Sequence, residues 1–396
     1  MTAGFAIVGG RVVLEDGVVD RCVVVRDGVI ADVCPVDRLD DELERVDVRG
    51  RLVTPGLIDL HVHGALGRSF SDATQESFDG ILGFLAANGV TTAQASLSTA
   101  SLDRLDAAME FAAHHRPLRA GAVLHGVHLE GPFLSHEQRG AQDPRQLRTP
   151  QAGDAERLLA HRGVLRMVTL APELPGAVEL TRRLVEGGVT VAAGHSATGT
   201  EMLAAAIGEG LSHITHLWSG QSLLSRSGPW RVPGFLEASL SSTGVTAEVI
   251  ADGKHLPPEL LTIARRCLGD RLCLVSDGIS GMGLPEGSRF ESGGMSVEIR
   301  DGVCMLVDGT SFAGSTTPLN RMLAHVVRNL GWPLHEAVAM ASTIPASVLG
   351  VADTKGALKP GFDADIAVFA EDFACSATLV GGRWIQGGNE QSTDRS

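Results

Sequence analysis

The feature that most constrains this chain is an alternation of short apolar segments with longer stretches of helical periodicity. The segments are Leu57–His63, Thr91–Leu97, Val123–Glu130, Arg166–Ala171, Val189–His195, His213–Leu217, Thr246–Asp252 and Leu272–Asp277. Strands separated by helices pair in parallel, because the crossover returns each strand to the same direction. Eight such units over about 250 residues match a closed barrel in size. The expectation is an α/β protein whose residues 55–354 form a (β/α)8 TIM-like barrel. Met295–Ile299 and Val303–Val307, flanking Asp301-Gly302, read as a β-hairpin inserted after the eighth strand.

The two ends read differently. Val12–Leu14, Val18–Val19, Val23–Val25 and Val29–Ile30 are separated by Asp16-Gly17 and Asp27-Gly28, a hairpin signal between β-branched runs. Ala364–Phe369, Thr378–Val380 and Arg383–Ile385 continue the theme. Neither end has enough strands for a stable sheet of its own. The economical reading is one small β-sandwich from both termini, residues 1–54 plus 355–388, followed by a flexible tail over 389–396.

Polar residues end many of the barrel segments. His61 and His63 end the first, Glu130 the third, His195 the fifth, His216 the sixth and Asp277 the eighth. Alternate strand residues share a face, so the two imidazoles of His61-Val62-His63 converge. Barrel enzymes keep their sites at the C-terminal mouth. Four histidines and two carboxylates there suit a divalent metal, zinc first, with iron, manganese or cobalt as alternatives and one or two ions per subunit. A single strand-end histidine is commonly structural; six candidates at one end of five strands are hard to obtain by accident. His128 and His213, beside them, read as structural groups or as groups orienting a ligand. The motifs GxSxG, HExxH, Walker GK[ST] and GxGxxG are absent.

Composition narrows the partners. A formal charge of −14 argues against nucleic acid or an anionic membrane, and no apolar run approaches the length of a span. The opening Met1-Thr2-Ala3-Gly4-Phe5 lacks the regions of a secretory leader. Six scattered cysteines without a CxxC pair suit a reducing, cytoplasmic setting.

At these residues the chain resembles the amidohydrolase superfamily, and within it the N-acetylglucosamine-6-phosphate deacetylases. The superfamily likeness lies in Pro55-Gly56-Leu57-Ile58-Asp59-Leu60-His61-Val62-His63-Gly64. The deacetylase likeness lies in His128-Leu129-Glu130-Gly131-Pro132-Phe133, Gly194-His195-Ser196, Thr215-His216-Leu217, Ala251-Asp252-Gly253-Lys254-His255, Ser276-Asp277 and Ala313-Gly314-Ser315. The resemblance implies that Glu130, His195 and His216 hold a metal, and that His61 and His63 match a pair used for a second one. It implies that Asp277 is the catalytic aspartate and His255 a substrate-binding histidine. It also implies that Arg226, with Arg231 close by, reaches a substrate phosphate in a neighbouring subunit of a homodimer.

The chain departs from the family pattern at three places. Gln142 stands where a substrate-contacting histidine is usual, Ser219-Gly220 where Asn-Ala is usual, and Phe312 where a leucine is usual. The expected activity is metal-dependent hydrolysis of the N-acetyl amide of an amino sugar, N-acetylglucosamine 6-phosphate or a related N-acetylhexosamine. The alternatives are a non-phosphorylated or specialised-metabolite amino sugar, a cyclic amidase or deaminase of the same superfamily, and a catalytically silent binding protein.

Overall fold

The computed structural model describes residues 4–118 and 120–386; the tail expected over 389–396 lies outside them. Eight strands form one parallel sheet in chain order: Leu57–Val62, Val90–Ser98, Val123–Glu130, Leu165–Leu170, Thr190–Ala193, His213–Ile214, Thr246–Ile250 and Leu272–Val275. The ring closes where Asp277 N donates to His61 O at 2.8 Å and His63 N donates to Gly278 O at 2.7 Å. The fifth to eighth strands stop short of their expected ends. His195 and Asp277 sit just beyond the regular part of their strands, where the backbone turns left-handed, with φ of 49° and 45°.

Helices follow each strand and cover the outside. Gln75–Ala87 shows how the sequence builds one. Thr74 accepts from Ser77 N at 3.2 Å as N-cap, and Phe78, Ile81, Leu82 and Leu85 place an apolar stripe at helical spacing against the barrel. All six residues of Leu57–Val62 are buried. Helices cover the outer face of a parallel strand, while its inner face lines the barrel.

The terminal strands make two sheets. Val29–Cys34, Cys22–Arg26, Phe5–Val8 and Glu44–Asp47 form the first. The second runs Arg383–Gln386, Cys375–Val380, Ile366–Phe369, Leu52–Pro55, Arg11–Leu14, Gly17–Asp20. Ile366–Phe369 pairs antiparallel with Leu52–Pro55, so strands from opposite ends of the chain share a ladder. Ile7, Val12, Val23, Val53, Ile366, Val368 and Leu379 pack in one apolar cluster. Both Asp-Gly hairpins form; at the second, Asp27 and Gly28 have φ of 50° and 82°, the left-handed pair that a type I′ turn requires. Phe5–Val8, Glu44–Asp47 and Leu52–Pro55 carry no comparable turn signal and were not anticipated.

The hairpin expected after the eighth strand is the middle of a four-stranded antiparallel sheet: Arg289–Ser292, Met295–Arg300, Val303–Leu306 and Phe312–Ser315. A bridge between Gly278 and Ser315 ties it to the end of the eighth strand, which sets it at the mouth. Among the described residues no helix is long and apolar enough to cross a membrane.

Candidate metal centre and substrate cavity

The mouth residues converge as the strand alternation requires. His61 Nε2 lies 3.1 Å from His63 Nε2, 3.5 Å from Glu130 Oε1 and 3.6 Å from Asp277 Oδ1. His63 Nε2 lies 3.4 Å from Glu130 Oε2 and 3.5 Å from Asp277 Oδ1. His195 and His216 bring Nε2 to 3.1 and 2.8 Å from Glu130 Oε1. His195 and Asp277 hold φ at 49° and 45°, and Trp218 at 71°. Such left-handed non-glycine backbone costs about 1–3 kcal/mol each and concentrates at functional sites.

The chemistry of this donor set fits a cation. His61 Nδ1 bonds the buried Glu248 carboxylate at 3.0 Å, and His195 Nδ1 bonds the Gln138 carbonyl at 2.8 Å. Both partners only accept, so each neutral ring carries its proton on Nδ1 and turns a bare Nε2 lone pair inward. Those lone pairs face carboxylate oxygens, which are acceptors too. A divalent ion resolves that confrontation. Two triads have ligand atoms within 4.8 Å of one another, His61–Glu130–His216 and His61–His63–Asp277.

The same crowding of acceptors shows in the electrostatics, where protons on the imidazoles meet it. Burial pushes the Glu130 carboxyl up, but the surrounding imidazoles of His61, His195 and His216 outweigh it and hold it well below the usual range. Asp277 is held down in the same way, against its burial, by His63, His61 and His216. Burial depresses His63, yet its hydrogen bonds to Asp277 and Glu130 prevail and raise it to about 10. His216 rises to about 9, against burial, through Glu130 and Asp277. His128 goes the other way: burial and the neighbouring His61 keep it well below its ordinary value. It bonds Ser96 Oγ at 2.9 Å and Thr169 Oγ1 at 2.7 Å, a satisfied structural group.

Several contributors escaped the sequence reading. Glu248 Oε2 also accepts from His216 N at 3.1 Å, and its Oε1 bonds His213 Nε2 at 3.0 Å. One fully buried carboxylate thus positions two candidate ligands and explains His213. The signal was present, since a lone Glu sits in the apolar run of Thr246–Ile250. Ser98 Oγ meets His63 Nδ1 at 3.2 Å, and nothing local distinguishes that serine.

A cavity of about 340 Å³ opens beside the cluster. His63, Glu130, His195, His216 and Asp277 form its floor, and Gln142, Trp218, Ser219, Gly220, His255 and Phe312 its walls. His255 Nδ1 bonds Asp252 Oδ2 at 2.7 Å, and Ser315 Oγ donates to the same oxygen at 3.0 Å. The His255 and Phe312 rings pack with centroids 4.9 Å apart. Gln142 reaches the wall, but both ends of its amide are engaged by protein. Nε2 donates to Glu130 Oε2 at 2.5 Å and Oε1 accepts from Thr99 N at 3.0 Å.

Arg226 is elsewhere. It lies on a two-stranded hairpin, Ser225–Ser227 and Trp230–Val232, whose residues are all exposed. It does not line the cavity of its own chain. Arg231 stands opposite it in the same hairpin.

Comparison with known proteins places this geometry. The Amidohydrolase family model matches residues 52–385. An N-acetylglucosamine-6-phosphate deacetylase of Vibrio furnissii is 34% identical, over 84% of this chain and 82% of that protein. An N-acetylgalactosamine-6-phosphate deacetylase of Escherichia coli O157:H7 is 32% identical, over 95% and 97%. The crystallised N-acetyl-D-glucosamine-6-phosphate deacetylase of Mycobacterium smegmatis, a mutant in complex with N-acetyl-D-glucosamine-6-phosphate, superposes with a TM-score of 0.89 at 30% identity, over 97% and 100%.

Proposed function

The chain belongs to the amidohydrolase family, among relatives that deacetylate amino-sugar phosphates, and on that premise we propose that it hydrolyses the N-acetyl amide of N-acetylglucosamine 6-phosphate or a closely related N-acetylhexosamine 6-phosphate, releasing acetate. One observation carries the reading. Imidazole lone pairs and carboxylate oxygens converge on one point beside Asp277, on the floor of a cavity of about 340 Å³.

Glu130, His195 and His216 would hold a divalent ion, zinc by the chemistry of the donors, with His61 and His63 next to it. Such an ion supplies Lewis acidity to the amide carbonyl and makes water a stronger acid. Asp277 is kept an anion by the imidazoles around it, so it can take the proton of the attacking water. It then returns that proton to the departing nitrogen, which leaves as an amine. Asp252 anchors His255 through Nδ1, which turns Nε2 toward the cavity to orient the substrate. Phe312 packs on that ring and excludes water from one side. The Ser225–Val232 hairpin would bring Arg226 to the phosphate of a substrate bound in the partner copy of a homodimer. The exposed Leu223, Leu224 and Trp230 flanking it support that role. Six cysteines without a disulfide suit a cytoplasmic setting.

The test is acetate release by the zinc-loaded chain from N-acetylglucosamine 6-phosphate, N-acetylgalactosamine 6-phosphate and the free sugars. Turnover of a phosphorylated sugar is expected. Full metal occupancy with no acetate from any of the four would sink the proposal.

A further inference from the structure

The two oxygens of Glu130 are treated differently. Oε1 faces His216, His195 and His61, at 2.8, 3.1 and 3.5 Å. Oε2 faces His63 at 3.4 Å and receives the Gln142 amide. That amide cannot turn round. Its oxygen accepts from Thr99 N, whose own hydroxyl donates to Glu130 O at 3.0 Å. The donor end of Gln142 is therefore fixed on Oε2.

A carboxylate that bridges two cations gives one oxygen to each. Here an N–H occupies the oxygen that a second ion would use, and its positive end opposes that ion. The histidines differ in the same sense. His195 must present a bare Nε2, because its Nδ1 partner is a carbonyl. His63 has no such constraint. Its Nδ1 partner is the Ser98 hydroxyl, which can donate and leave the ring proton on Nε2. A proton there, shared with His61 Nε2 at 3.1 Å, satisfies the His61–His63–Asp277 group without a cation.

We propose that Gln142 sets the metal count of this centre, reserving Glu130 for a single divalent ion at the Oε1, His195 and His216 end. Gln142 is then a positioning residue for the metal and not a substrate ligand, and His63, which lines the cavity, serves water and substrate there in place of a second ion. The inference rests on the metal-dependent reading above.

Metal per chain is the readout, independent of activity. The whole protein is dialysed against excess Zn²⁺, freed of loose ion by gel filtration and analysed by mass spectrometry. The parent is expected to keep one zinc, and Gln142→Met, equal in length but without the donor, to approach two. Gln142→Glu, which replaces the donor with an anion, is expected to do the same and covers the case in which the methionine variant fails to fold. A parent with two zincs, or folded variants that stay at one, would overturn the inference and leave the metal-dependent reading standing. A parent that keeps none would overturn both.

Discussion

At the scale of the residue, the convergence of the candidate ligands was legible and their supports were not. His61, His63, Glu130, His195, His216 and Asp277 each end a barrel segment, and strand ends converge in a closed barrel by geometry alone. Glu248 acts from inside a strand and Ser98 from the end of one, and only the three-dimensional register shows that they face His61 and His63. Gln142 was visible as a departure from a pattern, but its engagement with Glu130 and Thr99 was not. Asp277→Asn keeps the shape of the side chain and removes the proposed base. Turnover is expected to fall by about two or more powers of ten while zinc content stays that of the parent; near-parental turnover would move the acid–base role to another group. Asp59 bears on stability. Burial raises its carboxyl from 3.8 to about 6, against hydrogen bonds from Ser276 and His61, and its Oδ2 has no partner. The folded chain therefore holds this proton at pH values where the unfolded chain has lost it. Its contribution to stability is intact below about pH 4 and declines as pH rises to about 6, by roughly 3 kcal/mol. Asp59→Asn removes that term. Denaturant unfolding at pH 4.5 and 7 should find the variant more favoured, relative to the parent, at pH 7; an unchanged difference would show that Asp59 does not titrate in this range.

At the scale of the element, the barrel strands were read correctly because parallel strands are apolar and bounded by helical periodicity. The terminal sheets were read in part. Hairpins announce themselves through Asp-Gly, whereas Glu44–Asp47 and Leu52–Pro55 pair only with distant partners: 39 residues separate Glu44 from Phe5, 41 separate Leu52 from Arg11 and 317 separate Phe369 from Leu52. A two-strand signal likewise became a four-strand sheet at the mouth, since Arg289–Ser292 and Phe312–Ser315 have little apolar content of their own. The Ser225–Val232 hairpin carries a sharper prediction. Its residues are all exposed, with Trp230 74% exposed, and its Arg226 lies outside the cavity of its own chain. If that arginine reads phosphate in a partner copy, Arg226→Ala loses a charge-assisted bond of about 1.5–3 kcal/mol. The loss of kcat/KM should be about 10- to 100-fold for 6-phosphorylated sugars and absent for free ones. Trp230→Glu should reproduce that selective loss and also lower the mass in solution to one chain. Equal losses on both sugars, or a monomer with undiminished preference for phosphate, would refute the assignment.

At the scale of the whole molecule, the two ends of the chain are stitched into one structure on which the barrel stands. Ile366–Phe369 is fully buried. It hydrogen-bonds to Leu52–Pro55 on one side and Cys375–Val380 on the other. Its side chains alternate between two cores. Ile366 and Val368 enter the sandwich cluster, while Ala367 and Phe369 enter the main barrel cluster. Phe369 packs against Gly89, the residue before the second barrel strand, where a Cβ would come within 2.5 Å of the ring. A chain ending at residue 355 would uncover both cores at once and leave one edge of Leu52–Pro55 unpaired immediately before the first barrel strand, with Arg11–Leu14 still on the other. Each large apolar side chain exposed costs about 1.5–3 kcal/mol, and Ile366, Val368, Phe369 and Leu379 together approach the whole stability of an ordinary domain. The truncated chain is therefore expected to aggregate on expression and not to yield an isolated barrel. Phe369→Ala in the full chain tests the same joint more gently: a loss of about 3–5 kcal/mol in denaturant unfolding is expected, with one transition for both parts. Two separate transitions, or a soluble 1–355 chain that binds zinc like the parent, would show that the barrel stands without its terminal sheets.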